Sequence, residues 1–402
     1  MLTKIRDPIH GSIHLNTKEL ALVDHPAFQR LRNIKQLGFA EQAFPGATHT
    51  RYSHSLGAMA MATRIFDSLF KPGDLDESFR LKMRQAVRLA MLLHDLGHPP
   101  LSHCAEMLMP SKKSLGLEGG GQATHEDYTF ILIRNSSFSK LLEQLFEDEG
   151  LSPELITSLD FKFNKISYQP ILKQIVSSEC DADRMDYLQR DSMFCGVNYG
   201  RFDSDWLIGN LVPIQREQEI SLAIKSKGMF SFEDFLLSRY HMFASVYLHH
   251  TPVVFEKMLQ RYFAESDDAP AIPSDPEEYI LTNDLDFQRS IRDSNNSWAK
   301  RISSRNPYSL VADELSESEF QNLTKYLESE KIDFIQSRSK NAISKYFESS
   351  AIPLYVLTKR GEIVPLEKHT TLFNRYPKPI EINRIYVAPE NKEKVLRLSK
   401  TR

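Results

Sequence analysis

The segment LLHDLGHPPLSH, residues 92–103, sets His94, Asp95, His98 and His103 at the end of an apolar run. In a helix ending there, adjacent His94 and Asp95 diverge by ~100°. Both reach one ion only if it lies beyond the helix end. Imidazole with carboxylate suits Fe, Mn, Co, Ni or Zn. Two ligands are too few, and two other segments supply more. THTRYSHSLG (48–57) carries Arg51 and His54 three residues apart, on one helix face. SSECDADRMDYLQRDS (177–192) carries Asp183, with Tyr187 and Arg190 or Asp191 on about the same face. His54, His94, Asp95 and Asp183 then make a set of two imidazoles and two carboxylates. Two carboxylates balance a dication and leave positions for water and a phosphate oxygen. A single histidine on an apolar helix is more often a satisfied core residue than a ligand. The joint pattern is what core packing alone does not produce.

These residues need helices to position them. Helical spacing of apolar residues runs through 26–37, 54–70, 79–95, 124–134, 170–190 and 230–263. Within the second, Leu56, Met59, Ala60, Thr63, Phe66 and Phe70 share a face. Gly97 and Pro99-Pro100 turn the chain after Asp95, so that His98 and His103 line a cavity. Short alternating runs at 13–15 and 219–226 read as strands. SKKSLGLEGGGQA (111–123) reads as a mobile loop over a site. The acidic, Pro-rich 266–278 stretch reads as a linker, dividing a 1–265 core from a 279–402 region. That region mixes expected helices at 287–302, 317–328 and 342–347 with strand-like IPLYVLT and INRIYVA. The fold expectation is mainly α, with a smaller α+β C-terminal region.

The bulk numbers fit this reading. Of 402 residues, 41% are apolar and 26% charged, as in a globular protein. No apolar run approaches the ~20 residues that span a bilayer, so no membrane partner is expected. The start, MLTKIRDPIHGS, has no apolar signal segment. Three unpatterned cysteines point to a reducing, cytoplasmic setting. A formal net charge of −3 gives no support for single-stranded nucleic acid binding.

Together these stretches resemble the HD-domain phosphohydrolases. Within them the match is to the deoxynucleoside triphosphate (dNTP) triphosphohydrolases, both bacterial dGTPase-like and sterile-alpha-motif/HD-type. IRDPIHGSIHL (5–15), HPAFQRLRNIKQLG (25–38), FPGATHTRYSHSLG (44–57), LLHDLGHPPLSH (92–103), THE (124–126), DADRMDYLQRDS (181–192) and SRYHMFASVYLHH (238–250) carry the resemblance. They follow the family order across about the first 260 residues. The HD pair alone identifies a large superfamily; the set together is far more specific.

The resemblance implies an HD-type helical core and a metal held by His54, His94, Asp95 and Asp183. It implies water attack on the α-phosphorus, releasing deoxynucleoside and intact triphosphate, with Mg or Mn accompanying the triphosphate. It makes His125 the acid for the departing 5′-oxygen, relayed through His103 and Glu106, where Glu replaces the usual Asp. Arg51, Arg184 and Arg239 are implied phosphate contacts. Gln36, Leu37, Tyr187, Asp191 and Tyr247 are implied to form the sugar pocket, with Tyr187 filling the space of a 2′-hydroxyl. Some relatives are tetramers, or dimers of dimers, activated by dGTP or another dNTP. The matching positions are Asp24, Gln29 and Arg32 for the base and Arg201, Lys225 and Lys227 for the phosphates, with Arg6 replacing a family Asn. The alternative is another HD reaction, on nucleoside monophosphates, guanosine tetraphosphate or cyclic dinucleotides.

Overall fold

The computed structural model describes residues 2–341, 353–370 and 380–399. The helix expected at 342–347 lies outside the described residues. The fold is mainly α. Its centre packs the helices Arg51–Leu69, Glu77–Leu93 and Ala182–Cys195. The first buries Leu56, Met59, Ala62, Ile65 and Phe66, spaced three and four apart on one face. The second starts on Asp76, whose side chain accepts from the Phe79 amide, and buries Met83, Val87 and Met91. It stops at His94, which leaves the Asp95 side chain beyond the last turn.

Several expected helices are divided, each for a local reason. The 170–190 span splits into Gln169–Val176 and Ala182–Cys195, because the Asp181 carboxylate accepts from the Ser178 and Arg184 amides and caps the second piece. The 230–263 span becomes Met229–Met242, a π-helical turn at Phe243–Tyr247, and His250–Glu265. Such turns insert one residue and re-aim side chains. The 26–37 span is helical only over Pro26–Gln29, followed by a 3-10 turn at Arg30–Asn33. The 287–302 span resolves into Asp284–Asp293 and Ser297–Ser303, the latter capped by Asn296.

Strands Thr3–Asp7 and Gly11–Leu15 form an antiparallel hairpin. Glu219–Lys225, expected as a strand at 219–226, pairs antiparallel with Leu211–Arg216. Glu219–Lys225 also pairs in parallel with Tyr355–Leu357, so the IPLYVLT run joins a sheet of the first 265 residues. The third sheet places Ile380–Val387 between Ser309–Ala312 and Phe334–Asn341. It packs on the helix Glu317–Ser329 around Phe320, Leu327, Ile385 and Val387. That is the α+β part of the C-terminal region. The main core is continuous from Ile13 to Ala388. The 266–278 stretch is pinned to it: Ile272 is buried, and the Tyr128 hydroxyl donates to the Pro273 carbonyl at 2.7 Å. No helix among the described residues is long and apolar enough to cross a membrane.

One buried ionic network ties the hairpin to the helical centre. Arg190, fully buried, donates to Asp186 at 2.9 Å and to Asp7 at 2.9 Å. His10 Nε2 meets Asp186 Oδ1 at 2.6 Å. Gly57 faces this pair, and a Cβ there would collide with the Asp186 carboxylate and the Arg190 guanidinium. Displacing a buried charged partner costs ~3–5 kcal/mol. Gly57→Ala should therefore lower the unfolding free energy extrapolated from urea titration by a corresponding amount; an unchanged value would show that the network yields freely.

Candidate active site

His54 reaches the centre from the first turn of Arg51–Leu69, His94 and Asp95 from the end of Glu77–Leu93, and Asp183 from the first turn of Ala182–Cys195. Their donor atoms converge. His54 Nε2 lies 3.0 Å from Asp183 Oδ1, 3.3 Å from His94 Nε2 and 3.7 Å from Asp95 Oδ2. His94 Nε2 lies 3.4 Å from Asp95 Oδ1 and 3.5 Å from Asp183 Oδ1. Ligands ~2.1 Å from one ion stand ~3.0–3.4 Å apart at octahedral or tetrahedral angles. The donor set fits a divalent transition metal.

The outer contacts support the same role. His54 Nδ1 pairs with Asp186 Oδ2 at 2.8 Å, and His94 Nδ1 with the Met91 carbonyl at 2.7 Å. Each ring thus spends Nδ1 on an acceptor and presents Nε2 to the centre, the usual orientation of a metal-bound imidazole. Burial alone would lower the His54 pKa. Hydrogen bonds to Asp183 and Asp186, and the Asp95 charge, instead raise it to about 10. Burial would raise the Asp183 carboxyl, and the two imidazoles hold it below its usual range. The cluster demands positive charge.

A second group adjoins the first. His125 opens the helix His125–Arg134, capped by Thr124 in a box closed by Asp127. His125 Nδ1 lies 2.5 Å from Glu106 Oε1, and His103 Nδ1 lies 3.1 Å from the same oxygen. Glu106 therefore reaches both histidines despite replacing Asp. His98, almost fully buried, stacks on His125 with ring centroids 3.9 Å apart. The Thr129 hydroxyl joins this helix to the turn after Asp95. It donates to the His94 carbonyl at 3.1 Å and accepts from the Gly97 amide at 2.9 Å. A Cβ at Gly97 would strike the Thr129 and His125 backbone.

The two groups share a cavity of about 700 Å³. Gln36, Leu37, Arg51, Tyr187, Asp191 and Tyr247 line it, as do the two groups' histidines. Asp191 accepts from the Tyr247 hydroxyl at 2.6 Å and meets His49 Nε2 at 2.8 Å. The Gln36 side-chain oxygen is buried without a partner. Arg51 is buried and donates to Asp95 Oδ2 at 2.6 Å and to Ser102 Oγ at 2.8 Å. Arg184 and Arg239 do not line the cavity. They pair with Asp181 at 2.9 Å and Glu179 at 3.5 Å. Residues 111–123, expected over the site, do not line it either. They fold as an exposed loop with a 3-10 turn at Lys112–Leu115, held to Asp127 through Lys112. Asp24, Gln29 and Arg32 lie on the surface, with Arg32 Nε on Gln29 Oε1 at 2.7 Å and its guanidinium 3.6 Å over the Tyr52 ring. Lys227 lies over the Trp206 ring, Lys225 is half-buried, and Arg201 is exposed.

Sequence reasoning missed the residues that hold the turn. Leu101 and Ser102 both adopt left-handed backbone, at φ +61° and +55°. Asp284 accepts from the Leu101 amide at 2.7 Å and the Lys35 amide at 3.0 Å. Arg30 donates to the Leu96 and His98 carbonyls at 2.9 and 2.8 Å, and the Tyr279 hydroxyl to the Gly97 carbonyl at 2.7 Å. Nothing at 279–284 signals a site in sequence. Asp186 and His10 were also missed, although the DRMD spacing puts Asp186 one turn after Asp183.

Comparison with known proteins agrees with this geometry. The HD domain family matches residues 51–191, and the HD associated region matches residues 202–334. The uncharacterized protein YwfO of Bacillus subtilis is 35% identical over 64% of this chain and 55% of its own length. The deoxynucleoside triphosphate triphosphohydrolase SAMHD1 of Homo sapiens is 27% identical over 80% of this chain and 54% of its own. The chain thus spans little more than half the length of the curated relatives it matches. A hypothetical protein from Aquifex aeolicus superposes with a TM-score of 0.77 at 28% identity, covering 99% of both chains. A phosphohydrolase from Bacteroides thetaiotaomicron shares the fold at a TM-score of 0.72. With His54, His94, Asp95 and Asp183 at its centre, the chain carries an HD domain followed by an HD associated region.

Proposed function

We propose that the chain is a metal-dependent dNTP triphosphohydrolase. Water attacks the α-phosphate, the bond to the 5′-oxygen breaks, and deoxynucleoside and tripolyphosphate leave. The observation that carries this is the convergence of His54, His94 and Asp183, with Asp95 beside both imidazoles, at the wall of a cavity that also holds His125, Gln36, Tyr187 and Asp191. The relatives named as dNTP triphosphohydrolases, 27–29% identical to this chain, support it.

His54, His94, Asp95 and Asp183 would hold Fe, Mn, Co, Ni or Zn. When bound, such an ion supplies Lewis-acid polarisation of the phosphate and a lower pKa for the attacking water. His125, with Nδ1 fixed on Glu106, can present Nε2 to the departing 5′-oxygen and give it a proton. His103 shares Glu106 and completes the relay. Arg51 brings a buried positive charge beside Asp95. Arg184 and Arg239 would reach a triphosphate, with its Mg or Mn, only by turning from Asp181 and Glu179. The unpartnered Gln36 oxygen and Asp191 suit a 3′-hydroxyl. Tyr187 and Leu37 crowd the wall, so a ribose hydroxyl would be buried unpaired. The reading extends to activation by dGTP or another dNTP in a homotetramer, through Asp24, Gln29 and Arg32 with Arg201, Lys225 and Lys227. Gln29 and Arg32 would first have to release each other.

The chain incubated with each dNTP and Mn(II) or Mg(II), with and without a second dNTP, should yield deoxynucleoside and tripolyphosphate by ion-exchange chromatography. Monophosphate and pyrophosphate as products would contradict the reading. His125→Ala should lower kcat by ~10²–10⁴-fold with little change in nucleotide binding. A kcat within twofold of wild type would remove His125 as the acid. Metal binding must expel the proton that His54 favours. Apparent metal affinity should therefore climb between about pH 6 and 8, by about tenfold per unit for each proton released. Titration calorimetry in buffers of different ionisation enthalpy checks this, and a pH-independent affinity would contradict it.

A further inference from the structure

His98, His103, Glu106 and His125 form a second group of potential ligands beside the first. One donor atom from each lies within 4.8 Å of the others. Glu106 Oε1 sits between His125 Nδ1 at 2.5 Å and His103 Nδ1 at 3.1 Å. One carboxylate oxygen shared by two imidazoles is held there by a proton or by a cation. His98 is 1% exposed, and its Nδ1 has no partner. Its Nε2 stands 3.3 Å from Asp95 Oδ1. The His103 ring meets His98 and His125 edge-on, at 4.9 and 5.4 Å between centroids. Three imidazoles and one carboxylate are a more nitrogen-rich set than two and two. Such a set favours zinc, nickel or copper over manganese or magnesium.

We propose that His98, His103, Glu106 and His125 form a second, zinc-type metal site, and that filling it silences the enzyme. Coordination of His125 takes the ring that the reaction needs as proton donor and fixes Glu106 on the ion. Zinc in this site and turnover then exclude each other. The binding claim stands on the geometry alone; the silencing rests on the proposed function. His103 is two-thirds exposed, so an ion can enter from the solvent side of the group.

The test loads metal-free chain with Zn(II), removes loose metal by gel filtration and counts zinc per chain. Wild type should hold two equivalents. Glu106→Gln combined with His103→Ala should hold one, and His54→Ala should hold the other one. His103→Ala alone, a change at an exposed residue, should weaken the second equivalent at least tenfold. Only one equivalent in wild type, or a second that persists in the double variant, overturns the site. In a second arm, Mn(II)-loaded wild type receives one equivalent of Zn(II), with both metals counted. Turnover should fall at least tenfold while manganese is retained. Zinc held by this group with undiminished turnover overturns the silencing. Two zinc equivalents in a chain that hydrolyses no dNTP with any metal would leave the site standing and remove the proposed function instead.

Discussion

Two imidazoles, each within 3.0–3.7 Å of the carboxylates of both Asp95 and Asp183, are the constraint around which this molecule is organised. Both carboxylates need positive charge beside them: Asp95 is buried, and Asp183, about one-third exposed, faces two imidazoles from the first turn of its helix. The chain meets this in two ways. It brings one fixed cation, Arg51, to the outer oxygen of Asp95. It also leaves the inner oxygens facing two Nε2 atoms, where a proton or a metal can sit. Burial would raise the Asp95 carboxyl, and Arg51 with His94 and His98 holds it well below its usual range. Such a cluster is costly unless paired, so the surrounding structure has to hold every partner in place.

That support comes from segments on both sides of the HD domain in sequence. The N-terminal hairpin contributes Asp7 and His10, which with Arg190 fix Asp186, and Asp186 fixes the His54 ring. The HD-associated region contributes Tyr279 and Asp284, which hold the turn carrying His98 and His103. Asp284 is almost fully buried. Burial raises its carboxyl to about 6, and two backbone amides provide the contacts that keep it placed. The left-handed Leu101 and Ser102 that it stabilises are strained positions for residues with side chains. The stretch read as a linker thus leads straight into residues that shape the site.

The parts legible in sequence were those governed by local rules. Apolar spacing of three and four placed helices at 54–70 and 79–95, close to the observed Arg51–Leu69 and Glu77–Leu93. The four candidate ligands were legible because each closes or opens a helix, where side chains of distant segments can meet. The parts that escaped depend on tertiary pairing. Asp186 looks like any helical acid until His10 arrives from a hairpin 176 residues away. Arg184 and Arg239 share the charge of phosphate-binding arginines, but carboxylates at 181 and 179 engage them. Helix breaks at 177–181 and 243–247 follow from a capping aspartate and a π-turn, which periodicity does not register. The 111–123 loop has the composition of a lid, yet Lys112 fastens it away from the cavity.

The most direct measurement is anomalous X-ray diffraction at the manganese edge, from crystals of the chain loaded with Mn(II). The account predicts a peak within bonding distance of His54 Nε2, His94 Nε2 and carboxylate oxygens of Asp95 and Asp183. Full-occupancy manganese elsewhere, or no peak among these four side chains, would contradict it.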